Sequence, residues 1–237
     1  MNSLSVVVPT YNERKRLPKT LKEIVSYLEH LDIDSEVIIS DSASTDGTLD
    51  FVRSFQSSIP IKIETDTARL GKGSGVKNGM LSATKDWILF MDADNSTPIS
   101  EIEKLQKYTS ENQIVIGSRY AGLEAERKQG VLRRLVSRFG NWVIRQITNL
   151  DFQDTQCGFK LFRHDVAQNI FSRLQTKGWG FDVEVLMLAK KLNYKVAEVP
   201  VIWRDAEGSH LRAGKDSIKT LLEVMSIARK VKQGKNV

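Results

Sequence analysis

Short β-branched apolar runs alternate with helix-period segments through the first half of the chain, and this alternation narrows the fold more than any other feature. "LSVVVP" (4–9) predicts a buried strand ended by proline. Leu17, Leu21, Ile24, Val25, Leu28 and Leu31 then recur at a helical period, which predicts a helix over 16–31. The pattern repeats with strands at 35–41, 61–65, 87–92 and 114–118. Helices are expected at 44–55, 71–83 and 100–108. Strands separated by helices imply an α/β fold, with a mostly parallel sheet covered by helices on both faces. Ligands on such sheets sit at the carboxyl ends of the strands. "TYNE" after Pro9, Asp41 and Asp92 all fall at strand ends, so one site is expected there.

The second half is less regular. Residues 130–148 are amphipathic, 158–162 and 194–201 look like strands, and helices are expected over 182–192 and near 215–232. No Pro/Gly/Ser-rich linker separates the halves, so a single domain over 1–237 is expected. The regular half of that domain ends at 118, and the less regular half runs over 119–237. Cys157 is the sole cysteine, which excludes an intramolecular disulfide. The first residues do not form a signal peptide, and no apolar window is long enough to span a bilayer. A cytoplasmic protein, peripheral on the cytoplasmic face of a membrane, is the expectation. The net charge of +6 is uneven: Arg119 to Arg145 holds seven basic residues against two acidic ones. That segment is either a solvated helix face or a surface for phosphate or anionic lipid.

Two segments carry candidate chemistry. "RLGKGSGVKNG" (69–79) opens a helix, where backbone N–H groups can hold phosphate. It is not a Walker A loop, because Asp66 stands where that loop needs its first glycine. "FMDADNSTP" (90–98) places Asp92 and Asp94 behind an apolar strand. A calcium loop would need glycine where Thr97 stands. A haloacid-dehalogenase-type phosphatase fits poorly at Ser96 and has no clear downstream acidic pair. Another reading, open beside the phosphatase, is a divalent ion shared with a diphosphate, since Mg²⁺ or Mn²⁺ uses one or two carboxylates plus substrate phosphates. Ser96 or Thr97 caps the following helix in any of these cases.

The order and spacing of "SVVVPTYNERKRLPKTL", "ISDSASTDGT", "RLGKGSGVKNGM" and "WILFMDADNSTP" resemble family 2 glycosyltransferases of the GT-A fold. "GSRY", "DTQCGFKLFR", "GWGFDVEVLMLAKK" and "VIWRDAEGSHL" are similar to polyprenyl-phosphate sugar transferases, closest to the dolichyl-phosphate glucosyltransferase group with mannosyltransferases as near cousins. The resemblance implies an inverting transferase that moves a hexose, glucose from UDP-glucose, onto a polyprenyl phosphate. GDP-mannose as donor, or a soluble or polysaccharide acceptor, stays open as an alternative. It implies Mg²⁺ or Mn²⁺ at Asp92 and Asp94, which would also be the catalytic pair, with Ser96 as a third ligand that water could replace. Pro9, Tyr11, Glu13, Asp41, Lys72 and Ala93, together with the two aspartates, would contact the donor. Arg119, Arg133, Ser137 and Arg204 would hold the acceptor phosphate. The partners implied are a nucleotide sugar, a polyprenyl phosphate, a membrane surface and a membrane-protein tether; nucleic acid is not among them. A nucleotide-sugar-binding protein without catalysis is the non-enzymatic alternative.

Overall fold

A computed structural model describes residues 1–121, 131–204 and 215–232; the side chains at 131–139, 215–219 and 232 lie outside that description. The strands are β1 (Ser3–Thr10), β2 (Asp34–Asp41), β3 (Ile61–Thr65), β4 (Trp87–Met91), β5 (Ile114–Ser118), β6 (Phe159–Arg163) and β7 (Val196–Pro200). They form one sheet in the order β3-β2-β1-β4-β6-β5-β7. β6 runs antiparallel to both of its neighbours, while all other pairings are parallel. Strands from the second half of the chain therefore complete the sheet begun by the first, and β6 is wedged between β4 and β5.

Buried parallel strands need apolar residues on both faces, and β1 shows why its sequence is continuous Val. Leu4, Val6 and Val8 join the core under α1 (Leu17–His30) and α4 (Ile102–Gln106), whereas Val7 joins the core on the other face. α1 starts with proline in its first turn and buries Leu17, Leu21, Ile24, Val25 and Leu28 on one stripe. α2 is short (Thr48–Ser54). The opposite face is covered by α3 (Lys72–Ser82), α6 (His164–Arg173) and α7 (Phe181–Lys191), and α5 (Val131–Thr148) and α8 (Lys215–Lys232) pack together beyond them. The helix over 164–173 was not anticipated. Its apolar residues, Val166, Ala167, Ile170 and Phe171, have helical spacing but occupy only three turns directly after a strand.

Candidate active site

Three strands deliver the site, and each ends in a residue of left-handed conformation. Asn12 (φ 55°) follows β1, Ala43 (φ 57°) follows β2 and Asn95 (φ 54°) follows β4. Asparagine tolerates this region, while alanine there costs on the order of 1 kcal/mol, so the sharp reversal after β2 is imposed by its surroundings. Asp41 supplies part of that constraint: it accepts from Thr10 Oγ1 at 2.8 Å, Ser44 Oγ at 2.6 Å and Ser44 N at 2.8 Å.

The strand ends open onto a cavity of about 890 Å³. Pro9, Tyr11 and Glu13 line one side, and Asp92, Ala93 and Asp94 form the floor. Glu13 grips Arg16 with two contacts, at 2.7 and 2.5 Å, and Arg16 reaches toward Asp94 at 3.9 Å. Asp94 Oδ1 accepts from Ser96 N at 3.0 Å, and Thr20 Oγ1 donates to Ala93 O at 2.8 Å, which fixes the turn. Lys72, the first residue of α3, meets Asp92 at 2.6 Å with Trp179, Phe90 and Phe181 around its ammonium group. Burial works against the charge of Lys72, but Asp92, Asp182 and Asp94 outweigh it and raise its pKa. Arg69 stacks over the Tyr11 ring at 4.0 Å, across the cavity mouth.

A second charge pair lies below the floor. Lys160 on β6 and Asp182 on α7 are both buried and 2.5 Å apart, and the same ammonium donates to Cys157 O. Gly158, two residues before Lys160, abuts Asp92: its carbonyl accepts from Asp92 N at 3.0 Å, and a Cβ there would collide with the Asp92 carboxylate. "CGFK" thus braces Asp92 from beneath.

The far wall is the loop between α6 and α7. Glu184 is fully buried and accepts from Gln175 N and Thr176 N. Lys177 O accepts from Gly73 N at 2.8 Å, so part of the N-terminus of α3 is occupied by protein backbone. Gly73 thus packs on this loop, while Arg69, Leu70, Gly71, Lys72 and Gly75 of the same segment line the cavity.

The profile of Glycosyl transferase family 2 matches residues 5–171. The chain belongs to this family. It is also 35% identical to the dolichyl-phosphate β-glucosyltransferase of Dictyostelium discoideum, over 94% of this chain and 73% of that protein. The human protein of the same name is 35% identical over 97% and 78% respectively. Among solved structures, glucosyl-3-phosphoglycerate synthase of Mycobacterium tuberculosis with Mn²⁺, UDP-glucose and phosphoglyceric acid superposes with a TM-score of 0.71 at 21% identity, covering 96% of this chain and 80% of that one. Mannosyl-3-phosphoglycerate synthase of Rubrobacter xylanophilus gives 0.73 at 16%, covering 99% and 75%. The chain is a glycosyltransferase, and its fold is GT-A.

In this glycosyltransferase the cavity is lined by Pro9, Tyr11, Glu13, Lys72, Asp92, Ala93 and Asp94 of the candidate donor residues. Asp41 and Ser96 are buried and do not line it. Neither does Arg119, whose fork is taken by buried Asp154: Nε to Oδ2 at 2.7 Å, Nη2 to Oδ1 at 2.8 Å, and its own N–H to Oδ2 at 2.9 Å. Arg204 has an exposed side chain and ties its N–H to Ser96 O at 2.8 Å. Arg133 and Ser137 fall on α5 where side chains lie outside the described residues. Arg16, Arg69, Trp179 and Glu223 line the cavity without having been singled out from sequence.

Asp92 and Asp94 fit a Mg²⁺ or Mn²⁺ ion. Both are partly open to the cavity, with side-chain exposures of 33% and 25%, and among the described residues Asp94 Oδ2 has only a long contact to Arg16. Among the described residues no cluster of three or more metal-ligating groups exists. An ion held by two carboxylates would complete its shell with water and substrate phosphate.

Proposed function

We propose that the protein transfers glucose from UDP-glucose to a dolichyl-type polyprenyl phosphate with inversion. The observation that carries this is the pairing of a cavity floored by Asp92 and Asp94 with similarity to dolichyl-phosphate β-glucosyltransferases across nearly the whole chain. An acceptor phosphate oxygen attacks the anomeric carbon, and the bond from that carbon to the β-phosphate oxygen breaks. The acceptor is already anionic, so it needs no base. The barrier lies in charge developing on the leaving diphosphate.

A divalent ion held by Asp92 and Asp94 would supply Lewis-acid stabilisation of that charge. Lys72 sits beside Asp92 and presents a fixed cation toward the same region, while Arg16 neutralises Glu13 and approaches Asp94. Tyr11 under Arg69 gives a flat surface for the nucleobase. Arg133, Ser137 and Arg204 are proposed for the acceptor phosphate, since arginine binds phosphate bidentately. Arg119 keeps only its unshared edge for such a role, because Asp154 takes Nε and Nη2.

A peripheral seat on a membrane follows from the acceptor. α5 and α8 pack side by side and expose Trp142, Leu222 and Met225, and amphipathic helices with basic residues bind such interfaces. Among the described residues no helix is long and apolar enough to cross a membrane.

The decisive experiment supplies UDP-glucose or GDP-mannose with polyprenyl phosphate and identifies the lipid product by mass. Glucosylated lipid from UDP-glucose is expected. Asp94→Ala should lower turnover on the order of 10²–10³-fold, the scale for removing a group that stabilises developing charge. Wild-type turnover in that variant, or mannosyl lipid as the sole product, would reject this assignment.

A further inference from the structure

Four carboxylates line the cavity: Glu13, Asp92, Asp94 and Glu223. Three of them have cations, namely Glu13 with Arg16, Asp92 with Lys72, and Asp94 with Arg16 at longer range. Glu223, on α8, has no ion-pair partner among the described residues. Among the described residues its one bond is from Gly180 N to Oε2 at 3.1 Å. The other oxygen, Oε1, lies against Gly178, where any Cβ would collide with it. The residue between those glycines, Trp179, also lines the cavity, with its ring 4.9 Å from the Lys72 ammonium.

A carboxylate with no cation among the described residues repels a diphosphate and suits a neutral part of the ligand. A hexosyl group is that part. Its hydroxyls donate hydrogen bonds, which are about twice as strong to a charged acceptor as to a neutral one. Its C–H face is apolar and suits an aromatic ring. Lys72 joins the two regions, touching Asp92 on the diphosphate side and Trp179 on the other.

We infer that Glu223 and Trp179 form the subsite for the hexosyl group of the donor, with Glu223 Oε1 accepting sugar hydroxyls while Oε2 stays on Gly180. The inference rests on the nucleotide-sugar reading above. It adds α8 to the donor site, beyond residue 171 where the family profile ends.

The test compares UDP with UDP-glucose binding by calorimetry in the wild type, Glu223→Gln and Trp179→Ala. Glutamine can still accept from Gly180 N through its carbonyl, so the loop is kept. UDP-glucose affinity is expected to fall about tenfold or more in Glu223→Gln, the scale of a lost hydrogen bond to a charged group, and about three- to tenfold in Trp179→Ala, the scale of a lost aromatic contact. UDP affinity is expected to stay within about twofold on the same scale. Parallel losses for both ligands would mean that Glu223 only holds the loop and would overturn the subsite, as would no change for either. Absence of UDP binding in the wild type would overturn the donor reading itself, and the subsite with it. Should Glu223→Gln fail to fold, Trp179→Ala decides by the same selective loss.

Discussion

Asp154 and Asp182 are both buried beside the start of β6, and each faces a cation from another element, yet their carboxyl pKa values move in opposite directions. Burial is the largest influence on both and disfavours the charge. At Asp154 the Arg119 charge, its two side-chain bonds and its backbone N–H overcome burial and hold the carboxyl below the usual range. At Asp182 burial prevails, reinforced by the negative charge of Asp92, and the carboxyl is pushed up despite Lys160 and Lys72. Lys160 gives one bond to Asp182 and another to Cys157 O. One bond from Lys160, with the charge of Lys72 added, does not overcome the burial of Asp182, whereas three bonds from Arg119 overcome that of Asp154. The arginine pair is closed on itself. The lysine pair shares its field with the cavity above it.

The largest effect that could break this contrast comes from Lys160→Met. Asp182 would then be buried with only the more distant Lys72 to offset it, and removing one partner of a buried pair costs about 3–5 kcal/mol. Urea denaturation measures this. Adding Asp182→Leu should restore most of the loss, because replacing both charges by apolar groups is neutral or better. Equal midpoints for the single and double variants would show that the pair is not what matters. Next in size is Arg119→Lys, which keeps the charge but loses the fork. Lost bonds to a charged group are worth about 1.5–3 kcal/mol. A variant as stable as the wild type would remove the fork as the reason for the low Asp154 pKa.

The same contrast explains what the sequence reveals. Strand ends are local: an apolar run that stops at Asp92 or Pro9 announces both the strand and the edge where its polar residues gather, and those residues do line the cavity. Pairings across elements are not local. Arg119 reads as a free phosphate ligand until Asp154, 35 positions away, takes its fork. Asp41 likewise reads as open to ligand, but Thr10 and Ser44 already use both of its oxygens. The antiparallel insertion of β6 leaves no mark on a five-residue strand. One signal was present in "GFKLF" and "FDVEVL": a lysine in an apolar strand and two acids in an apolar helix need partners, and Lys160 finds Asp182. Trp179 and Glu223 had no such mark, because loop and helix converge only in three dimensions.

The smallest effect is also the most direct test, since pH should separate the two aspartates by sign. The unfolded value for both is about 3.9. Asp154 sits below that value in the folded state, so the unfolded chain binds its proton more readily. Its contribution is fully present above about pH 4 and is lost as pH falls through the folded value. Asp182 sits above, so the folded chain binds the proton more readily. Its contribution is fully present below about pH 4 and is lost as pH rises through the folded value. Each slope can reach at most about 1.4 kcal/mol per pH unit. Stability from urea midpoints over a pH series should therefore differ between the wild type and Asp154→Asn with a positive slope on the acid side. The difference between the wild type and Asp182→Asn should slope negatively above it. The offset from an unpaired Arg119 is constant, because its guanidinium stays charged throughout the series. If both differences bend the same way, donor count does not set the two aspartates apart, and the lysine pair is as closed as the arginine pair.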